Sequence, residues 1–163
     1  LRPVASNPAA PFDAPGRLEW LIKRVTELCT ASHIDTPADI ERRYGGLRKS
    51  TIAWTIDGGG SAIGTGDKGD VLVPFACTIV AVTLLADQTG SIVVDIKKAA
   101  YADYPPASSI CAGDKPTISS DDRSNSSALT GWTTAIAEGD TLRFSVDSAS
   151  TITRCAVVLT VLR

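Results

Sequence analysis

Two periodicities divide the chain. In "RLEWLIKRVTELC", residues 17–29, Leu18, Leu21, Ile22, Val25, Leu28 and Cys29 recur at steps of three and four. That spacing lines one face of a helix. Asp13 or a neighbour can cap it, and Pro15 suits its first turn. The stripe is wide, so the helix must pack on something: its own body, or copies of itself in an oligomer. A second short helix is predicted over "TPADIERRYGG". Thr36 caps it, Pro37 opens it, Asp39 takes the capping-box position, and Gly45 and Gly46 stop it. "ERR" within it reads as a solvated face.

From residue 51 the period falls to two. "TIAWTI" places Ile52, Trp54 and Ile56 on one face, and "TLRFSVD" places Leu142, Phe144 and Val146. "TITRCAVVLTVLR" places Cys155, Val157, Leu159 and Val161 on one side. Its other side is also partly apolar, so this strand is central or lies at an interface. "LLADQTGSIVVDI", residues 84–96, is predicted as a hairpin. A tight turn over "ADQTGS" would be served by Asp87, with Ile92, Val94 and Ile96 facing a core. "IDGGGSAIGTGDKGD" reads as a glycine-rich connection and "AEGD" as a turn before a strand. Residues 101–132 form the longest polar region, with short strands expected around Ile118 and Leu129. Several short strands separated by such turns predict an all-β sandwich or barrel over residues 51–163. Residues 1–50 form a leading segment: a proline-containing arm over 1–16, then one or two short α-helices. The arm is expected to be extended, lying along a neighbour or hanging as a tail.

Length and composition fit this division. The chain of 163 residues is 44% hydrophobic, enough to bury a core, and has no methionine. It begins at Leu1, so it reads as a processed or partial product. Net charge is −2, which argues against general nucleic-acid binding. Residues 1–50 carry eight Lys/Arg and six Asp/Glu, whereas residues 51–163 carry eight and twelve. Arm and body therefore have opposite balances, a weak bias at cellular salt. No run approaches the roughly 18 apolar residues of a membrane span, and the first residues do not have the composition of a secretory signal.

Candidate chemistry is sparse. The only histidine, His33, lies between the predicted helices, so no Ser-His-Asp set is legible. Cys29, Cys77, Cys111 and Cys155 show no C-x-x-C spacing and predict no zinc site. Cys77 and Cys155 read as buried apolar residues. "DGGGSAIGTG" lacks the Lys-Ser/Thr and the helix of a phosphate-binding loop. Asp57, Asp67, Asp70, Asp121 and Asp122 are all expected in loops, where aspartate bonds nearby backbone N–H groups. Asp67 and Asp70 could offer oxygens to calcium, but "GDKGD" matches no EF-hand loop. No catalytic residue, cofactor or metal is predicted. Tyr101, Tyr104 and Trp132 flank the long polar region and are the candidate receptor contacts. The competing reading is that Trp132 is core and the tyrosines cover a sheet edge.

Five stretches, in order, carry a resemblance. They are "TIDGGGSAIGTGDKGDVLVPFACTI", "LLADQTGSIVVDIKKAAYADYPP", "KPTISS", "LTGWTTAI" and "GDTLRFSVDSASTITR". Together they span about two thirds of the chain, and residues 51–163 resemble a β-sandwich module of tailed-bacteriophage virion structural proteins. The resemblance implies an antiparallel, jelly-roll-like sandwich of the fibre or decoration type, located on the virion surface. It implies a homo-oligomer, with a trimer favoured, bound to capsid, neck or tail proteins. It carries no catalytic residues. Residues 1–50 lie outside it. Their position suggests attachment or oligomerisation, with Leu18, Leu21, Ile22, Val25 and Leu28 as the partner-binding residues. The alternative function is a host-receptor or glycan-binding module of a tail fibre. An enzyme such as a glycan depolymerase would need two converging carboxylates in a groove.

Overall fold

A computed structural model of the chain describes residues 14–31 and 48–163. The first set is one helix, α1 (Ala14–Ala31), whose side chains are described from Leu18 to Leu28. The predicted second helix, His33, most of the proline-containing arm and the Cys29 side chain lie outside the described residues. The chain divides into two compact units at residues 47 and 48. No described helix is long and apolar enough to cross a membrane.

The second unit is mainly β and antiparallel, as its two-residue period predicts. Its strands are β1 (Lys49–Asp57), β2 (Gly66–Leu72), β3 (Cys77–Ala100), β4 (Ser108–Ser109), β5 (Thr117–Ser126), β6 (Ala135–Ile136), β7 (Asp140–Ser150) and β8 (Arg154–Leu162). They form one curled sheet with the order β1-β8-β3-β7-β2, and β4, β5 and β6 pair with β3. The core is a single cluster, and the alternating residues predicted to face it do so. Ile56, Ile92, Ile96, Phe144, Val157 and Leu159 are all at most 1% exposed. Each such side chain contributes roughly 1.5–3 kcal/mol by leaving water.

The predicted hairpin at residues 84–96 is absent. β3 runs through "ADQTGS" as one strand. The partner ribbon is what prevents the turn. β8 pairs with the first half of β3, from Thr78 opposite Leu162 to Ala86 opposite Cys155. β7 then pairs with the second half, from Ser91 opposite Ser150 to Ala100 opposite Asp140. β7 and β8 thus act as one interrupted strand beside β3, and a hairpin would forfeit both ladders. Asp87 does not serve a turn of its own segment. Its carboxylate accepts from the Thr153 N–H (3.1 Å), the Arg154 N–H (3.0 Å) and the Thr153 hydroxyl. Gly90 is there for close approach, not for an unusual φ. A Cβ at Gly90 would lie 2.5 Å from the Ser150 carbonyl oxygen and 2.3 Å from Thr151 Oγ1. Thr151 itself bends the partner, with φ at +66°.

The aspartates also depart from expectation. Asp57 is the last residue of β1 and not in a loop, but its carboxylate does accept from a nearby backbone N–H, that of Gly59, at 2.7 Å. Asp67 and Asp70 are on β2 and Asp121 and Asp122 on β5, so none of these four is in a loop. β2 carries a bulge: Asp67 stands opposite Ser145 and Gly69 opposite Phe144, leaving Lys68 without a register partner. In a regular strand, residues three apart face opposite ways. The bulge brings Asp67 and Asp70 to the same outer face. Gly69 makes this possible on the inner side, because a Cβ there would lie 2.1 Å from Trp54 Cζ2. The Trp54 ring in turn stacks on Phe144, with centroids 6.2 Å apart. β1 and β2, the two ends of the strand order, therefore approach each other through Trp54.

Candidate functional site

The outer face of β2, β7 and the second half of β3 holds the densest polar cluster. Arg143 on β7 donates to both oxygens of Asp70, from Nε at 2.7 Å and from Nη2 at 2.8 Å. Its Nη1 reaches Asp67 at 3.2 Å. Asp67 also accepts from Lys97 Nζ at 3.2 Å and is hydrogen-bonded to the Ser145 hydroxyl. The Tyr104 hydroxyl donates to Asp70 at 2.7 Å, and the Arg143 guanidinium carbon sits 5.6 Å from the Tyr104 ring centre. Further along, Lys115 bridges Asp147 at 2.6 Å and Asp95 at 3.1 Å, and the Ser109 hydroxyl donates to Asp95 at 2.6 Å.

These contacts fix the protonation states. The Arg143 hydrogen bonds hold the Asp70 carboxyl below its usual range, against a smaller desolvation effect. The Ser145 hydroxyl, and then Lys97, do the same for Asp67. Hydrogen bonding to Asp147 raises Lys115, and hydrogen bonding to Asp70 raises Tyr104 and Arg143. Each shift moves a titration further from neutrality. A general acid at neutral pH needs a carboxyl pushed the other way. The cluster is a set of ionic struts that pin three strands together.

Tyr104 is held by these struts at the edge of a cleft of about 440 Å³ lined by Asp70, Val71, Leu72, Tyr101, Tyr104 and Thr141. Three of its walls reach well into solvent: Tyr101 is 72% exposed, Tyr104 53% and Leu72 52%. The structure thus brings together two of the three aromatic residues singled out from sequence. Trp132 goes elsewhere. Its indole N–H donates to the Asp114 carbonyl at 2.8 Å, and the ring packs against the core beside a separate cavity of about 160 Å³. Leu72 and Arg143 were not legible as site residues. The one available signal was Gly69 inside an otherwise strand-like stretch, which marks a bulge.

The helix presents its predicted stripe. Leu18, Leu21, Ile22, Val25 and Leu28 are 43–60% exposed. Arg24 and Glu27 form an ion pair at 2.9 Å. Among the described residues no group of three or more His, Cys, Asp or Glu side chains is arranged to hold a metal ion. Cys77, Cys111 and Cys155 are buried free thiols, as expected for Cys77 and Cys155. Burial pushes the Cys111 thiol up to about 12 and Cys155 to about 11.

The chain matches no protein-family model and no curated protein. Among solved structures it is similar to a serine protease of Aeromonas sobria, at 9% identity and a TM-score of 0.31. The match covers 69% of this chain and 27% of that one. A superposition this loose supports no conclusion about fold or activity.

Proposed function

We propose that the chain is a non-enzymatic structural protein of a tailed-bacteriophage virion. Its second unit is a jelly-roll-like β-sandwich displayed on the particle surface as a capsid decoration, head-fibre or tail-fibre module. The leading segment anchors it to capsid, neck or tail proteins and favours a trimer. The resemblance of residues 51–163 supports this reading. The observation that carries it is the strut cluster. Asp67, Asp70 and Arg143 are each bonded by two or more fixed partners, so the face they build is rigid and not poised for proton transfer. The exposed stripe of α1 supports oligomerisation, because a helix of 18 residues is marginal alone in water and needs a partner for its apolar face. The test is co-sedimentation of the chain with particles from cells that encode it. The full chain should band with the particles, and a chain lacking residues 1–47 should stay at the top of the gradient. A full chain found only in the soluble fraction would contradict the proposal.

A second reading is a host-receptor or glycan contact, favoured by one observation. Tyr104 is pre-positioned by Asp70 and Arg143 beside the exposed Tyr101 and Leu72. Rigid aromatic rings with a polar tip suit such contacts. Particles carrying Tyr101→Ala and Tyr104→Ala should then keep the protein but adsorb poorly to host cells. Unchanged adsorption would reject this reading.

A further inference from the structure

We propose that the cavity beside Trp132, at the β3–β5 edge of the sheet, binds a single neutral sugar ring. The register places two serines on the inner face there. Ser124 on β5 stands opposite Leu84 on β3, and Ser126 opposite Val82. Leu84 and Val82 in turn stand opposite Val157 and Leu159 on β8, and all four are core residues at most 3% exposed. Residues directly opposite on paired strands share a face. The inner face therefore changes from aliphatic to hydroxyl at β5, although the same strand also carries the buried Ile118. Both serines are half-buried, and among the described residues neither hydroxyl has a hydrogen-bond partner. Inward-facing polar groups are ordinarily paired, so two unpaired neighbours point to a partner from outside the chain.

Both serines line the cavity of about 160 Å³. Its apolar side is formed by Val82, Leu84, Leu129 and Trp132. The indole N–H is committed to the Asp114 carbonyl at 2.8 Å, so Trp132 offers the cavity only apolar ring surface. Asp114 fixes the rim a second time. Its Oδ2 accepts from the Thr130 N–H at 3.1 Å, which leaves Oδ1 open, and the Trp132 N–H donates to the Leu129 carbonyl at 3.1 Å. Walls held in place before a ligand arrives lower the ordering cost of binding.

These walls select the ligand. Each serine hydroxyl can donate and accept, and the open Asp114 oxygen accepts. The complement is a molecule with several hydroxyls along its edge and a C–H face for the leucines and the indole. A pyranose has both, and apolar walls with a few placed polar groups are the general make-up of small-molecule sites. An anion would meet the Asp114 carboxylate. A cation would meet the ammonium of Lys115, which lines the same cavity and is held there by Asp95 and Asp147. The cavity is smaller than the roughly 300–1,000 Å³ of drug-sized pockets, so it takes one ring. It shares no residue with the Tyr101–Tyr104 cleft, and the inference rests on neither function proposed above.

The test is amide NMR of the full chain titrated with glucose, galactose, mannose and N-acetylglucosamine, each to about 100 mM. At least one should give saturable shifts at Ser124, Ser126 and the Trp132 indole N–H, with a Kd of about 1 mM. Ser124→Ala combined with Ser126→Ala should weaken that binding by about tenfold or more. The double variant should melt with the wild type, because the lost hydroxyls bond nothing else in the protein. Ser126→Leu, which fills the cavity, should abolish binding and takes the place of the double variant if the latter does not fold. Tyr101→Ala with Tyr104→Ala should leave binding intact. No saturable shift with any of the four sugars would overturn the proposal, as would undiminished affinity in the folded serine variants. Loss of binding in the folded tyrosine variant, or tighter binding of choline or inorganic phosphate at the same residues, would also overturn it.

Discussion

Replacing Gly90 by alanine separates a strand that continues through the middle of β3 from a chain that turns back there. The added Cβ would meet Thr151 Oγ1 at 2.3 Å, the Ser150 carbonyl oxygen at 2.5 Å and Ile152 Cγ1 at 2.7 Å. Comfortable contacts lie near 3.5 Å, so something must move by roughly 1 Å. The hydroxyl can rotate, but the Ser150 carbonyl is backbone and moves only with the β7–β8 ribbon. Overpacking of this kind costs roughly 1–3 kcal/mol. Gly→Ala at an ordinary φ returns about 0.4–1 kcal/mol by restricting the unfolded chain. The net expectation is a loss of about 1–2 kcal/mol, or roughly 4–10 °C in Tm. Gly113→Ala is the control, because nothing lies within 4 Å of its Cβ position. It should melt within about 2 °C of the wild type. Adding Thr151→Ala to Gly90→Ala should restore only part of the loss, since the Ser150 carbonyl remains in the way. Calorimetry reads all four proteins. A Gly90→Ala protein that melts with the wild type would refute the close approach, and with it the continuous strand.

Three further outcomes follow from the same contacts. Asp70 and Asp67 are held below their unfolded values, so their stabilisation is complete above the ordinary carboxylate range and is lost as pH falls through the lowered folded values. Acid unfolding should therefore steepen below about pH 4, and Asp70→Asn should flatten that limb; an unchanged pH–Tm profile would remove the struts from the stability account. Asp87→Ala should raise hydrogen exchange at the Thr153 and Arg154 amides, which donate to that carboxylate, and unchanged protection there would contradict the bend described. Cys111 and Cys155, buried and with raised thiol pKa values, should resist a disulfide reagent at pH near 8 until denaturant is added; fast labelling of the native protein would show the core to be open.

Much of the fold can be read from the chain because alternation is a local property. Ile52 and Ile56, Leu142 and Phe144, and Val157 and Leu159 reach the core from their spacing alone. What sequence cannot show is which distant segment a strand pairs with. "ADQTGS" contains good turn residues, and locally a turn is a sound reading. β7 and β8 overrule it from more than fifty residues away, by offering both halves of β3 a continuous ladder. The aspartates fail for a related reason. A loop explains an isolated Asp67 or Asp70, but only the bulge at Lys68 reveals that both address Arg143, a residue more than seventy positions away. Tyr101 and Tyr104 are three positions apart and stay together, whereas Trp132, thirty residues on, packs half-buried against the core with its indole N–H on the Asp114 carbonyl. The α1 stripe from Leu18 to Leu28 was legible, because a helix face depends only on residues within two or three turns of one another.

The most direct test of the central claim is immunogold electron microscopy of intact particles from cells encoding the chain, with antibodies raised against residues 48–163. A surface-displayed structural protein predicts gold at regular positions on the capsid, neck or tail of undisrupted particles. Particles that stay unlabelled while the antibody finds the chain only in the soluble lysate would contradict it.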